Sequence, residues 1–91
     1  MMRIWKFPLK LEDEQEVDMP SLACVLCVQV QDEIPCLWAL VDEACPHVRR
    51  IVHIRGTGHI ADGMEMAQYV GTFQLLGGIF VGHVFADVEA P

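Results

Sequence analysis

Four cysteines, four histidines and one serine give this 91-residue sequence its thiol, imidazole and serine-hydroxyl candidates for metal binding or nucleophilic chemistry. Cys24-Val25-Leu26-Cys27 forms a C-x-x-C, with Cys36, Cys45 and His47 downstream. Structural zinc needs four thiolate or imidazole ligands converging tetrahedrally. The Val-Leu spacer reads instead as strand, where residues three apart point to opposite faces. The sequence therefore predicts that Cys24 and Cys27 diverge and that the cysteines are core thiols. A redox C-x-x-C places its thiolate at a helix N-terminus, and no helix is predicted here. Ser21 follows Pro20 in a turn without a G-x-S-x-G elbow around it. No catalytic residue, metal ligand or cofactor is assigned on this basis.

Two other stretches carry more chemistry. Arg55-Gly56-Thr57-Gly58-His59 follows a predicted strand. Successive backbone N–H groups in such a turn can cradle an anion, and Arg55 and His59 would add donors. The stretch matches neither G-x-G-x-x-G nor the P-loop. The candidate ligand-binding residues are thus Arg55, Gly56, Thr57, Gly58 and His59, with His83 on the last strand as a second imidazole. The candidate partner-binding residues are Glu12, Asp13, Glu14, Glu16 and Asp18. Such a run either protects a solvated strand edge from aggregation or presents a negative surface to a basic protein.

Composition sets the bounds. Six Lys and Arg against thirteen Asp and Glu give a net charge of −7, which argues against direct binding of nucleic acid or of anionic membranes. No apolar run approaches the roughly 18 residues of a transmembrane helix. Met1 to Lys6 lacks the features of a signal peptide, so a cytoplasmic location is expected. The chain is expected to form a single domain over residues 1–91.

The elements that must position these groups follow from period-two alternation. Strands are predicted over Arg3–Leu9, Leu11–Met19, Cys24–Gln31, Ile34–Val41 and Val48–Arg55. Trp5, Phe7 and Leu9 share one face of the first, and Pro8 suits that strand to an edge. Gln15, Val17 and Met19 oppose Glu14, Glu16 and Asp18 in the second, and Leu26, Val28 and Val30 face inward in the third. Asp32-Glu33 turns the chain into a strand that is apolar on both faces and therefore central. An irregular segment from Gly56 to about Ala67 has room for one helical turn. Gln68–Leu76 and Ile79–Ala86 then form a hairpin around Gly77-Gly78, whose glycines suit a type I′ turn. Asp87 to Pro91 is expected to fray. The sum is an all-β domain, a small antiparallel sandwich or partly open barrel of about seven short strands with at most one short helical turn.

Ile4-Trp5-Lys6-Phe7-Pro8-Leu9, Asp13-Glu14-Gln15-Glu16-Val17 with Met19-Pro20, and Pro35 to Asp42 resemble a family of small uncharacterised proteins of tailed phages, prophages and their bacterial hosts. Gly56 to His59, Gly71-Thr72-Phe73-Gln74 and His83-Val84-Phe85 fit the same pattern, with Ile60 standing where relatives often carry proline. The resemblance implies a phage-associated accessory protein and supplies no catalytic residue. Joined to size and acidity, it leads to the expectation of a non-enzymatic protein in the bacterial cytoplasm that binds or inhibits a host protein, for example in antiviral defence. A free sheet edge would also allow a homodimer. The alternatives are a binder of an anionic or nucleotide-like ligand at Arg55 to His59, and a metal-stabilised domain.

Overall fold

The computed structural model describes residues 1–89 and is built from β-strands in two antiparallel sheets. In chain order these are β1 (Met2–Pro8), β2 (Glu14–Pro20), β3 (Cys24–Gln31), β4 (Ile34–Asp42), β5 (His47–Gly56), β6 (Gln68–Leu75) and β7 (Phe80–Ala86). One sheet has the order β1-β4-β3 and the other β2-β5-β7-β6. Short 3-10 turns at Met64–Met66 and Leu76–Gly78 are the only helical pieces among the described residues. None is long or apolar enough to cross a membrane.

Alternation explains most of this. Odd residues of β1 and β4 face inward, so Trp5 and Phe7 cover Leu37, Ala39 and Val41, which are buried. In the other sheet Val17, Met19, Val52, Ile54, Phe73 and Val84 complete the core. β4 is central, as its two apolar faces predict, and β1 is an edge that tolerates Pro8. Asp32 (φ 51°) and Glu33 (φ 63°) make the tight turn between β3 and β4. Gly77 (φ 66°, ψ 24°) and Gly78 (φ 94°) occupy the left-handed region that a type I′ turn requires, and Ile79 N–H donates to Leu76 O at 3.3 Å. Leu76 is also left-handed (φ 54°), so β6 ends one residue earlier than alternation suggests.

Three expectations are corrected. A β-bulge between Val25 and Cys27 resets the parity of β3. Val25 and Val28 are buried and Leu26 is exposed, so Leu26 does not face the core, while Val30 keeps the parity of Val28 at the less covered end of the strand. The same bulge brings Cys24 and Cys27 to one outward face instead of separating them. The cysteines are not all core thiols either: Cys36 is buried, Cys27 and Cys45 are half-buried, and Cys24 is exposed. A second bulge lies between Tyr69 and Gly71 in β6. Both occur where β3 passes over β6, and Gly71 keeps that crossing tight: a Cβ there would lie 3.0 Å from Val28 Cγ1. Bulges bend strands where a sheet turns a corner, and here they let the two sheets meet on one side and stay open on the other.

The third correction concerns Asp87 to Glu89, which are tied down rather than frayed; Ala90 and Pro91, the rest of that expectation, lie outside the described residues. Asp87 N–H donates to Ile51 O at 2.9 Å. Ser21 Oγ donates to Glu89 Oε2 at 2.6 Å and Leu22 N–H to Oε1 at 2.8 Å. The Ser21 hydroxyl first, and the Leu22 N–H second, hold the Glu89 carboxyl below its ordinary value of 4.5. A depressed folded pKa stabilises above the unfolded value and is lost as pH falls through the folded one. Wild type should therefore melt above Glu89→Gln at about pH 7, with a smaller gap at about pH 3. Paired thermal melts at the two pH values measure this; a gap independent of pH would remove the carboxylate from the explanation.

Candidate functional site

The Arg55 to His59 stretch divides its side chains between two faces of the four-stranded sheet. Arg55 pairs with His83 and Gly56 with Gly82 in the β5–β7 register. Odd residues of both strands face outward, so Thr57 meets His83 on the outer face, with Thr57 Oγ1 2.7 Å from His83 Nε2. His83 Nδ1 lies 3.0 Å from Thr72 Oγ1, which also contacts the Tyr69 hydroxyl. Tyr69 and Thr72 share this face only because of the β6 bulge. The result is a hydrogen-bonded row, Tyr69–Thr72–His83–Thr57, in which both imidazole nitrogens are engaged. A neutral His83 accepts from one threonine and donates to the other, so the row can shift a proton but offers no vacant ring nitrogen.

Arg55 is a clamp. Its Nη1 donates to Asp13 O at 2.6 Å and to Ile54 O at 3.1 Å. Ile54 N–H donates to the same Asp13 carbonyl at 3.1 Å. Together they fasten the segment before β2 to β5 and set the positions of Glu12 and Asp13.

His59 turns to the inner side. A turn bond from His59 N–H to Gly56 O at 3.0 Å folds it back, and its ring covers Gly56 so closely that a Cβ there would lie 2.8 Å from Cε1. Gly58 (φ 86°) supplies the left-handed residue this needs. His59 thereby enters the wall of a cavity of about 350 Å³ at the open end between the sheets. Its apolar walls are Leu11, Ile54, Leu75, Leu76 and Phe80, and Glu12 and Asp13 are the acidic residues among its lining. His83 lines neither this cavity nor the shallower one beside Ile79 that also includes His59. The two histidines singled out from sequence are thus on separate sites.

The acidic run is answered mostly within its own sheet. Glu16 Oε2 is 3.3 Å from Arg49 Nη1, Asp18 Oδ2 is 3.4 Å from His47 Nδ1, and Glu14 Oε1 is 3.7 Å from His53 Nδ1. These follow from a β2–β5 register that sets Asp18 opposite Arg49 and Glu14 opposite His53. Glu12 and Asp13, outside the strand, are in none of the ion pairs among the described residues. His53 is buried, with Nε2 2.8 Å from Asp87 Oδ1 and no hydrogen-bond partner at Nδ1. A carboxylate orienting an imidazole resembles part of a catalytic dyad, but this ring has no solvent-facing nitrogen to present to a substrate. Among the described residues no group of three or more Cys, His, Asp and Glu side chains converges on a metal position.

Sequence reasoning missed a further surface. On the outer face of β1-β4-β3, Ile4, Leu40 and Cys24 form one cross-strand row, and Lys6, Trp38 and Cys27 the next. Ile4 is 62% and Leu26 47% exposed. Lys6 Nζ lies 6.0 Å from the Trp38 ring centre and donates to Gln31 Oε1 at 2.6 Å, giving the patch a polar rim. The signal was the both-sided apolarity of Ile34 to Val41, which marks a central strand but does not say whether its outer face is covered.

The chain belongs to the family described as a domain of unknown function (DUF7352), whose model matches residues 1–91. No curated protein and no solved structure matches it.

Proposed function

We propose that this chain is a non-enzymatic, phage-associated accessory protein that works by docking onto a host protein and inhibiting it, with antiviral defence as the candidate host function. The observation that carries the docking is the apolar outer face of β1-β4-β3. Contiguous exposed apolar surface with a polar rim is the usual mark of a protein-binding site. Ile4 and Leu26 would enter the partner, and Trp38, half-buried between them, is the residue type that most often anchors an interface. The phage association rests on the sequence resemblance, and the expectation of a basic partner on the net charge of −7. The bacterial cytoplasm is where such a partner would be met.

The anionic-ligand reading has less support. Arg55 already donates from Nη1 to two backbone carbonyls, and the cavity that His59 lines is also lined by Glu12 and Asp13. A homodimer through the β1 edge would use the same side of the molecule as the proposed partner, and the two would compete.

Affinity capture from bacterial lysate tests the docking. Wild type is expected to recover a specific protein, and the double variant Ile4→Lys/Leu26→Asp to recover it at least about tenfold less with an unchanged circular dichroism spectrum. Recovery equal to wild type, or no specific protein in repeated captures, counts against the reading.

A further inference from the structure

The open-ended cavity and the two acids left out of the sheet's ion pairs converge on one property. We infer that this cavity is a binding site for a small hydrophobic cation, an alkyl- or arylalkylammonium. The proposal is independent of partner docking on the other sheet.

Shape and lining come first. At about 350 Å³ the cavity falls within the usual range for small-molecule sites, and Leu11, Ile54, Leu75, Leu76 and Phe80 offer an apolar bed. Charge comes second. The residues with polar side chains among the lining are Glu12, Asp13 and His59. Other carboxylates of the acidic run face His47, Arg49 or His53, whereas those of Glu12 and Asp13 are in no ion pair among the described residues. An anion entering the cavity would meet two like charges; an ammonium would meet two opposite ones beside a low-dielectric wall that strengthens the attraction.

Preorganisation comes third. The segment bearing both acids is held by the Asp13 carbonyl, which accepts from Ile54 N–H at 3.1 Å and Arg55 Nη1 at 2.6 Å. The backbone that carries both acids at the cavity wall is therefore fixed before any ligand arrives, which reduces the ordering cost of binding. Gly56 contributes by lacking a side chain, since the His59 ring occupies that space and closes one wall.

The experiment compares 2-phenylethylammonium with 2-phenylethanol and 3-phenylpropionate, using the full chain, calorimetry and amide chemical shifts. The ammonium should bind at least about tenfold more tightly than the carboxylate, with shifts centred on Leu75, Leu76 and Phe80. Glu12→Gln/Asp13→Asn should lower ammonium affinity about tenfold and leave that of the alcohol unchanged. Both substitutions are at exposed side chains, and neither alters the Asp13 carbonyl that Arg55 clamps. The proposal is overturned if the carboxylate binds as well as the ammonium, if the double variant binds the ammonium normally, or if the shifts map elsewhere. It is likewise overturned if the ammonium fails to bind at millimolar concentration while a Lys-containing apolar peptide does, because the site would then belong to a protein partner.

Discussion

Arg50→Ala is expected to lower the unfolding free energy by about 3 kcal/mol, a large share of the roughly 5–15 kcal/mol that holds a domain together. Arg50 is 7% exposed. Its Nε donates to Asp87 O at 2.6 Å and its Nη1 to Ala23 O at 3.1 Å. One guanidinium thus ties the start of β3 to the segment leaving β7, while its own strand pairs with β2 on one side and β7 on the other. Hydrogen bonds from a charged donor are worth about 1.5–3 kcal/mol each, and truncation would also strand the buried Ala23 carbonyl. Arg50→Lys keeps the charge without the planar fork, and should fall between wild type and alanine. Urea denaturation measures this, with the midpoint expected to drop by more than about 1 M for the alanine variant. An unchanged midpoint would show that water satisfies both carbonyls equally well.

The placement of Arg50 illustrates how far the sequence could be read. Alternation sets Arg50 on one strand face with Val48, Val52 and Ile54, and the structure turns that face to the core. Nothing local could name its partners, because Ala23 and Asp87 are 27 and 37 residues away. The strands, apart from β2 starting at Glu14 rather than Leu11, the central position of β4 and both tight turns were legible for the same reason: they are decided within a few neighbouring residues. The two bulges were not, because they answer to the packing of β3 on β6. Each bulge also changed chemistry, moving Cys27 to the face of Cys24 and bringing Tyr69 within reach of Thr72.

The candidate site was half visible for related reasons. Glycine and cation content marked Arg55 to His59, and strand parity then divided it, giving Thr57 to His83 and His59 to the cavity. Leu75, Leu76 and Phe80 gave no warning as cavity residues, since their apolar character was equally consistent with core. Glu12 and Asp13 differ from Glu14, Glu16 and Asp18 only by lying before β2. That small displacement removes them from register with the basic side chains of β5 and leaves them to the cavity.

Gly82→Ala tests whether the core and this cavity share a wall, and should cost about 2 kcal/mol. Gly82 is buried on β7 opposite Phe73, and the space a side chain would need is already taken. A Cβ there would fall 2.5 Å from Phe73 Cζ, 2.7 Å from Cε1 and 3.1 Å from Phe80 Cε2. Phe73 is itself buried in the core, so its ring cannot leave without disturbing the packing around it. Overpacking of this kind costs roughly 1–3 kcal/mol, against which alanine recovers only about 0.5–1 kcal/mol of strand propensity over glycine. Gly56→Ala is the contrast: the ring over Gly56 belongs to His59, which is exposed and free to swing outward, so stability should change little. Two readouts keep the argument falsifiable. Phe73→Leu should be less harmful in the Gly82→Ala background than in wild type, a coupling that a double-mutant cycle measures. Because Phe80 lines the cavity, Gly82→Ala should also weaken 2-phenylethylammonium binding under conditions where the protein remains folded. Strict additivity with Phe73→Leu would mean that the crowding predicted at Gly82 is relieved elsewhere, and undiminished ammonium binding would mean that Phe80 moves independently of the core.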